Sequence, residues 1–282
     1  MTYFQAIIIG LLQGITELFP VSSLGHSVLL PSLFGWNNIV ASQTSTESFF
    51  LAFVVGLHVA TAIALLIFYR KKWAKIIRGF FRTLKTHKAE TSDERLAWLL
   101  ITATIPAGIV GLAFEHKLRV IFATPLYAAV FLTINGLILL VGEYYRRRVK
   151  QRGATRSLVK LEYKEAGVVG VAQVLALFAG ISRSGITIVA GLVRGLDHED
   201  AANFSFLLAT PIILAAGVYK LPDLLGSNGA GIRGQVLVGS IVAGVAAYFS
   251  VKFLTKYFET KTLTPFAIYC LVVGGLMIIK FA

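Results

Sequence analysis

The chain is short of what soluble folds rely on. It holds one cysteine, Cys270, so an internal disulfide is excluded and a thiolate metal site lacks ligands. Acidic residues are scarce, 14 against 27 Lys and Arg, and no Lys or Arg stands before Arg70. The opening Met1, Thr2, Tyr3 and Phe4 therefore lack the basic region of a cleaved signal, and the first helix is expected to be retained. No low-complexity linker divides the chain, so residues 1–282 are expected to form one domain. Apolar sequence is what remains. Hydrophobic residues make up 56% of the 282 and charged ones 15%, the composition of a polytopic membrane protein. The net charge of +13 does not imply a nucleic-acid partner, because Lys and Arg crowd into 70–95 and 146–164, between long apolar runs. The positive-inside rule places both basic segments in the cytoplasm and both termini outside.

Runs at 48–69, 96–114, 126–145, 201–219, 235–254 and 265–281 are each about the ~20 residues a spanning helix needs. The expected loops are a polar 35–47, a basic inner 70–95, a short outer 115–124, a basic linker 146–165, an outer loop with Pro222, Gly226 and Gly229, and an inner one with Lys256 and Lys261. The stretch from Gln13 to His26 does not fit a span. Pro20, Ser22, Ser23 and Gly25 break the helix after a short apolar run, so it reads as a hairpin that leaves by the side it entered. Such backbone is tolerable at membrane depth only inside protein or along a wet cavity.

Sliding the chain by 160 residues lays Ala6, Gly10, Gln13, Ser22 and Gly25 on Ala166, Gly170, Gln173, Ser182 and Gly185. A second hairpin is thus expected at 166–194, turning around 180–185. Each half, 1–145 and 166–282, becomes a re-entrant hairpin plus three spans, an odd number of crossings, so the fold expected is an all-α integral membrane protein of two inverted repeats with its site near the midplane. The copies differ where chemistry would sit: Glu17 faces Leu177, Ser23 faces Arg183 and His26 faces Ile186.

An ionisable group at mid-bilayer costs roughly 2.5 to 3.5 kcal/mol and marks a candidate site. Gln13 and Glu17, four apart on one helical face, offer oxygen ligands suited to a hard divalent cation, Mg²⁺ or Ca²⁺; a Glu17 that merely pairs with Arg183 is the alternative. Gly10 and Gly14 beside them would admit a close helix neighbour. At the second tip Ser182, Arg183, Ser184 and Thr187 combine a guanidinium, hydroxyls and backbone N–H groups before a short helix, a phosphate-type site. Ser23 could be a nucleophile with His26 as its base, the His26 imidazole could itself attack the phosphate, or either could activate water. Ser22 could act there or cap a helix. His58, alone in an apolar span, reads as a packing or hydrogen-bonded residue; His87, His116 and His198 read as solvated, and Asp200 as a helix N-cap.

Gln13 and Glu17, then Pro20, Val21, Ser22, Ser23, Gly25 and His26, then Gly180, Ser182, Arg183, Ser184, Gly185 and Thr187, and Phe204, Ser205 and Phe206, together resemble the bacitracin-resistance type undecaprenyl-diphosphate phosphatase family over essentially the whole chain. The resemblance implies a bacterial plasma-membrane enzyme that removes the terminal phosphate of the C55 isoprenoid diphosphate carrier of cell-wall synthesis, with a divalent cation at an outward-facing site. It implies Gln13 and Glu17 as the acidic motif, Ser23 and His26 as the second catalytic group, and Ser182, Arg183, Ser184 and Thr187 as the phosphate-binding motif, with Ser22 and Gly180 beside them. One departure is Ala179, where the family usually has Pro. The expected partners are the lipid substrate and membrane lipids, with a homodimer left open. A lipid-phosphate flippase using the same midplane site is the competing function, although it needs no nucleophile beside the acid.

Overall fold

Among the described residues, six helices of the computed structural model are long and apolar enough to cross a bilayer. They are α4 (Phe49–Phe68), α6 (Ser92–Phe122, of which Ser92–Phe114 is apolar enough), α7 (Pro125–Gln151), α10 (His198–Tyr219), α11 (Arg233–Phe258) and α12 (Thr264–Phe281). They coincide with the six expected spans. The structure describes every residue except 43–48, 123, 152, 221–225 and 227–230, and only the backbone of Ala41 and 115–122. The start of the first span at Ser48, the side chain of His116, and the loop residues Pro222 and Gly229 fall outside the described residues.

The other α-helices among the described residues are short: α1 (Tyr3–Thr16), α2 (Ser23–Leu33), α3 (Asn37–Ser42), α5 (Arg70–Thr86), α8 (Tyr163–Gln173) and α9 (Arg183–Val193). At about 1.5 Å per residue, α1, α2, α8 and α9 each cover roughly 16 to 21 Å, well under a ~30 Å hydrocarbon core. Local chemistry sets their ends. Thr2 and Gln5 close a capping box on α1, and Ser22 and Ser182 cap α2 and α9 by accepting from the backbone N–H groups of Gly25 and Gly185. The repeated Ser-x-x-Gly is therefore, physically, a repeated helix start.

The short helices pack across the halves. α1 lies on α11, where a Cβ at Gly10 would stand 2.5 Å from the Gly239 carbonyl, and α8 lies on α6, where a Cβ at Gly170 would stand 2.5 Å from the Ala103 carbonyl. Backbones this close require glycine. α7 packs on α12, with Gly136 against Ala267 and Gly274 against Ala129.

Several loop expectations are corrected. Residues 70–86 form α5, because Trp73, Ile76, Ile77, Phe80, Phe81 and Leu84 recur at helical spacing among the basic residues. α6 runs to Phe122 through the expected outer loop, since no Gly or Pro intervenes before Pro125, and α7 continues to Gln151 into the basic linker. Asp197, not Asp200, caps α10 by accepting from the Asp200 N–H, while Asp200 accepts from the Leu158 N–H. His198 is not solvated: its Nε2 lies 2.7 Å from Glu143 Oε1, which also accepts from the Leu263 N–H. His87, by contrast, is exposed and ends α5 in a left-handed conformation.

Candidate active site

The turns that follow α1 and precede α9 meet in the interior. Their contact is glycine on glycine: a Cβ at Gly25 would stand 2.8 Å from Gly180 Cα, and Gly180 itself has φ +114 with Ala128 O 2.5 Å from where its Cβ would be. Ser22 holds a strained backbone at φ 69, a conformation that costs a non-glycine residue about 1 kcal/mol or more. That geometry lets one serine tie the tips together. Its Oγ accepts from the N–H groups of Gly25 and Gly180, both at 3.2 Å, and its carbonyl faces His26 Nδ1 at 2.7 Å. Ser22 is thus a cap and a bridge between the turns.

Glu17, 6% exposed, is the centre of the site. Its Oε1 accepts from Arg183 Nη2 at 2.8 Å. Its Oε2 accepts from Ser23 Oγ at 2.5 Å and from Gln13 Nε2 at 3.0 Å, and lies 3.3 Å from His58 Nε2. The sequence pairs Ser23 with His26, but the fold pairs Ser23 with Glu17. His26 turns away, because its ring folds onto the carbonyl of Ser22, four residues back, and a carbonyl can only accept, so Nδ1 carries hydrogen. In the neutral ring Nε2 is then an acceptor, and Tyr269 Oη, 2.8 Å away with its ring stacked on the imidazole, donates to it.

The second tip contributes a buried hydroxyl network rather than free donors. Ser182, Ser184 and Thr187 are at most 1% exposed. Ser182 Oγ lies 3.0 Å from Ser184 Oγ, Ser184 Oγ donates to the Phe19 carbonyl, and Thr187 Oγ1 lies 2.7 Å from Ser205 Oγ. These hydroxyls hold the turn in place. The charged group of this turn is Arg183: one Nη donates to Glu17, and the other makes only a long 3.5 Å contact with the Ser205 carbonyl. Since Arg183 begins α9, its guanidinium sits beside the helix end that favours anions.

Sequence reasoning missed two residues here and underrated two others. Asn135, fully buried on α7, donates from Nδ2 to the Pro20 carbonyl and accepts at Oδ1 from the Ser182 N–H, both at 2.9 Å, so one amide joins the two turns. Tyr269 is the other missed residue, and Ser205, quoted only within the Phe204–Phe206 motif, bonds Thr187. Of these signals, an Asn within an apolar spanning run and a Ser within a quoted motif were visible in the sequence. His58, read as a packing or hydrogen-bonded residue, is hydrogen-bonded, but its partner is Glu17 itself, with Nδ1 tied to the Val54 carbonyl at 2.8 Å.

Among the described residues no three His, Cys, Asp or Glu side chains gather as a metal cluster. Gln13 Oε1, however, is buried with no hydrogen-bond partner, and an orphan buried acceptor costs about 1 to 3 kcal/mol. That orphan oxygen and the Glu17 carboxylate are donors of the kind a hard divalent cation takes, so Gln13 and Glu17 would be the residues to hold one. Gln173 carries the same orphan oxygen, but Leu177 stands where Glu17 would be, so the second tip has the amide without the carboxylate.

The family model described as "Bacitracin resistance protein BacA" matches residues 6–276. The chain is 55% identical to undecaprenyl-diphosphatase 2 of Frankia alni, covering 100% of this chain and 98% of the relative. It is 54% identical to undecaprenyl-diphosphatase of Mycolicibacterium paratuberculosis over the same shares, and 44% identical to undecaprenyl-diphosphatase 2 of Chromobacterium violaceum over 97% of each.

Proposed function

The chain belongs to the bacitracin resistance protein BacA family, and from that premise we propose that it is an undecaprenyl-diphosphatase, a multi-pass membrane enzyme that hydrolyses the terminal phosphate of undecaprenyl diphosphate to leave the monophosphate carrier. The observation that carries the chemistry is the convergence of Ser23 Oγ and Arg183 Nη2 on the two oxygens of Glu17, at 2.5 and 2.8 Å. An acid, a hydroxyl and a guanidinium gathered inside an apolar bundle are costly for stability alone. Phosphoryl transfer asks for those three groups: a nucleophile, a base and a cation clamp.

In the proposed mechanism Arg183 binds the terminal phosphate bidentately, with the N-terminus of α9 behind it. Glu17 takes the Ser23 proton as Oγ attacks the terminal phosphorus. The new Oγ–P bond forms as the bridging P–O bond breaks, giving a phosphoserine and the lipid monophosphate, and water then hydrolyses the phosphoserine. Gln13 and Glu17 would hold a divalent cation, Mg²⁺ or Ca²⁺, which when bound would supply neutralisation of the diphosphate charge. His26, aimed by Ser22 and Tyr269, is assigned to proton transfer around the leaving group. His58 orients Glu17. An apolar groove of about 580 Å³ between α1 and α11, lined by Leu11, Ile15, Phe19, Val245, Phe249 and Phe253, shares Phe19 with the first turn and suits a prenyl tail.

The same reading extends to architecture. α1 with α2 and α8 with α9 are re-entrant hairpins, and residues 1–145 and 166–282 are inverted repeats around a basic cytoplasmic linker. The reciprocal packing supports it: α1 lies on α11 of the second half as α8 lies on α6 of the first. The site then opens outward from a bacterial plasma membrane, with both termini outside. Purified protein in detergent should release phosphate from a long-chain prenyl diphosphate and stop when chelator is added; no release from that substrate under any divalent cation would reject the proposal.

A further inference from the structure

α5 is built for a surface, and its three faces differ. One face packs on α6, with Ile76, Gly79 and Thr83 buried and Trp73 and Phe80 partly so. A second carries Ile77, Phe81 and Leu84, which are 49%, 64% and 48% exposed and fall on one strip at i, i+4 and i+7. A third carries Lys71, Lys75, Arg78, Arg82 and Lys85, again at helical spacing. Of these, Arg82 pairs with Glu90 and Glu94, while no hydrogen bond or ion pair joins Lys71, Lys75, Arg78 or Lys85 to a described residue. Large apolar side chains left bare beside unpaired cations are expensive in water and are what an interfacial helix presents to lipid.

We propose that α5 lies in the membrane interface and binds anionic phospholipid headgroups, with Ile77, Phe81 and Leu84 among the acyl chains and the Lys and Arg stripe on the phosphates. The occupant follows from connectivity and charge. Only Tyr69 separates the end of α4 from the start of α5, so the helix leaves a spanning segment directly at the bilayer surface. α4 also exposes large apolar side chains towards its end, Ile63 and Ile67, which are 47% and 51% exposed. Four unpaired cations select negative headgroups over zwitterionic ones.

Fluorescence on the full-length protein tests this. Cys270 is buried, so a dye attached to Phe81→Cys reports one position. In nanodiscs the dye should be quenched by acyl-chain spin-labelled lipid and protected from a water-soluble quencher. At equal mole fraction, spin-labelled phosphatidylglycerol should quench as though bound at least about fivefold more tightly than spin-labelled phosphatidylcholine. Changing Lys71, Lys75, Arg78 and Lys85 to Gln should bring the two lipids level without altering phosphatase activity; Lys75→Gln alone, a lesser disturbance of the fold, should lower the ratio partway. Equal quenching by both lipids in the parent protein overturns the proposal. So does a dye quenched only from water, or shielded from both quenchers, as a protein partner or second copy covering α5 would require.

Discussion

Glu17 and Arg183 lie 166 positions apart in the chain, and their side chains are 2.8 Å apart in the fold. The pair joins the two turns, and the buried carboxylate also receives Ser23, Gln13 and His58. Removing one partner of such a buried charge leaves the other uncompensated, so substitutions at this point should act on function and stability together.

Arg183→Lys keeps the charge but loses the planar fork that reaches Glu17 and the Ser205 carbonyl from one group, and with it the proposed bidentate hold on phosphate. It should lose at least ~2 kcal/mol of transition-state stabilisation, roughly thirtyfold in kcat/KM. Steady-state phosphate release measures it, and near-parental turnover would place Arg183 outside the phosphate site.

Ser23 and Glu17 should behave as one unit. Ser23→Ala and Glu17→Gln should each abolish most turnover, and the double variant should be scarcely worse than either, as groups acting together are non-additive. Ser23→Ala with His26→Ala should be closer to additive, because His26 contacts Ser22 and Tyr269 instead. A kinetic double-mutant cycle decides between the pairings, and an acid-stable phosphoenzyme would identify phosphoserine over phosphohistidine.

Gln13→Ala removes the orphan oxygen assigned to the cation. Since even outer-shell partners of a metal are worth roughly tenfold or more, the Mg²⁺ or Ca²⁺ concentration for half-maximal activity should rise at least tenfold. Saturating cation should restore much of the rate. An unchanged cation requirement would remove Gln13 from the site.

His58→Ala should lower kcat about tenfold with little change in KM, the value of one hydrogen bond to a charged group at about 1.5 kcal/mol. His58→Gln, which retains a donor near Glu17, should recover part of the loss. A residue that only filled space would show no such recovery.

Orientation is checked by labelling. Cysteines at Asn38 and Ser92, both exposed, should react from opposite faces of intact cells, while the buried Cys270 stays silent. Reaction from the same face would reject both the inward basic loop and the outward termini.

Long apolar runs, basic loops and two broken stretches were enough to predict six spanning helices and two sets of polar tip residues, because membrane insertion depends on hydropathy and charge that any chain displays in order. Helix starts were equally visible at Ser22 and Ser182, whose capping acts over three residues. Partnership was not. Nothing along the chain says that the Ser23 hydroxyl bonds to Glu17 while His26 bends back to its own helix, or that His58 and Asn135, far from both motifs, complete the carboxylate's shell and pin the turns together. Those choices depend on distances of about 3 Å between elements remote in sequence, set by how closely Gly10, Gly25 and Gly180 let backbones approach. Hydropathy sorts residues into lipid, water or interior, and only the packed tertiary structure decides which buried polar groups meet.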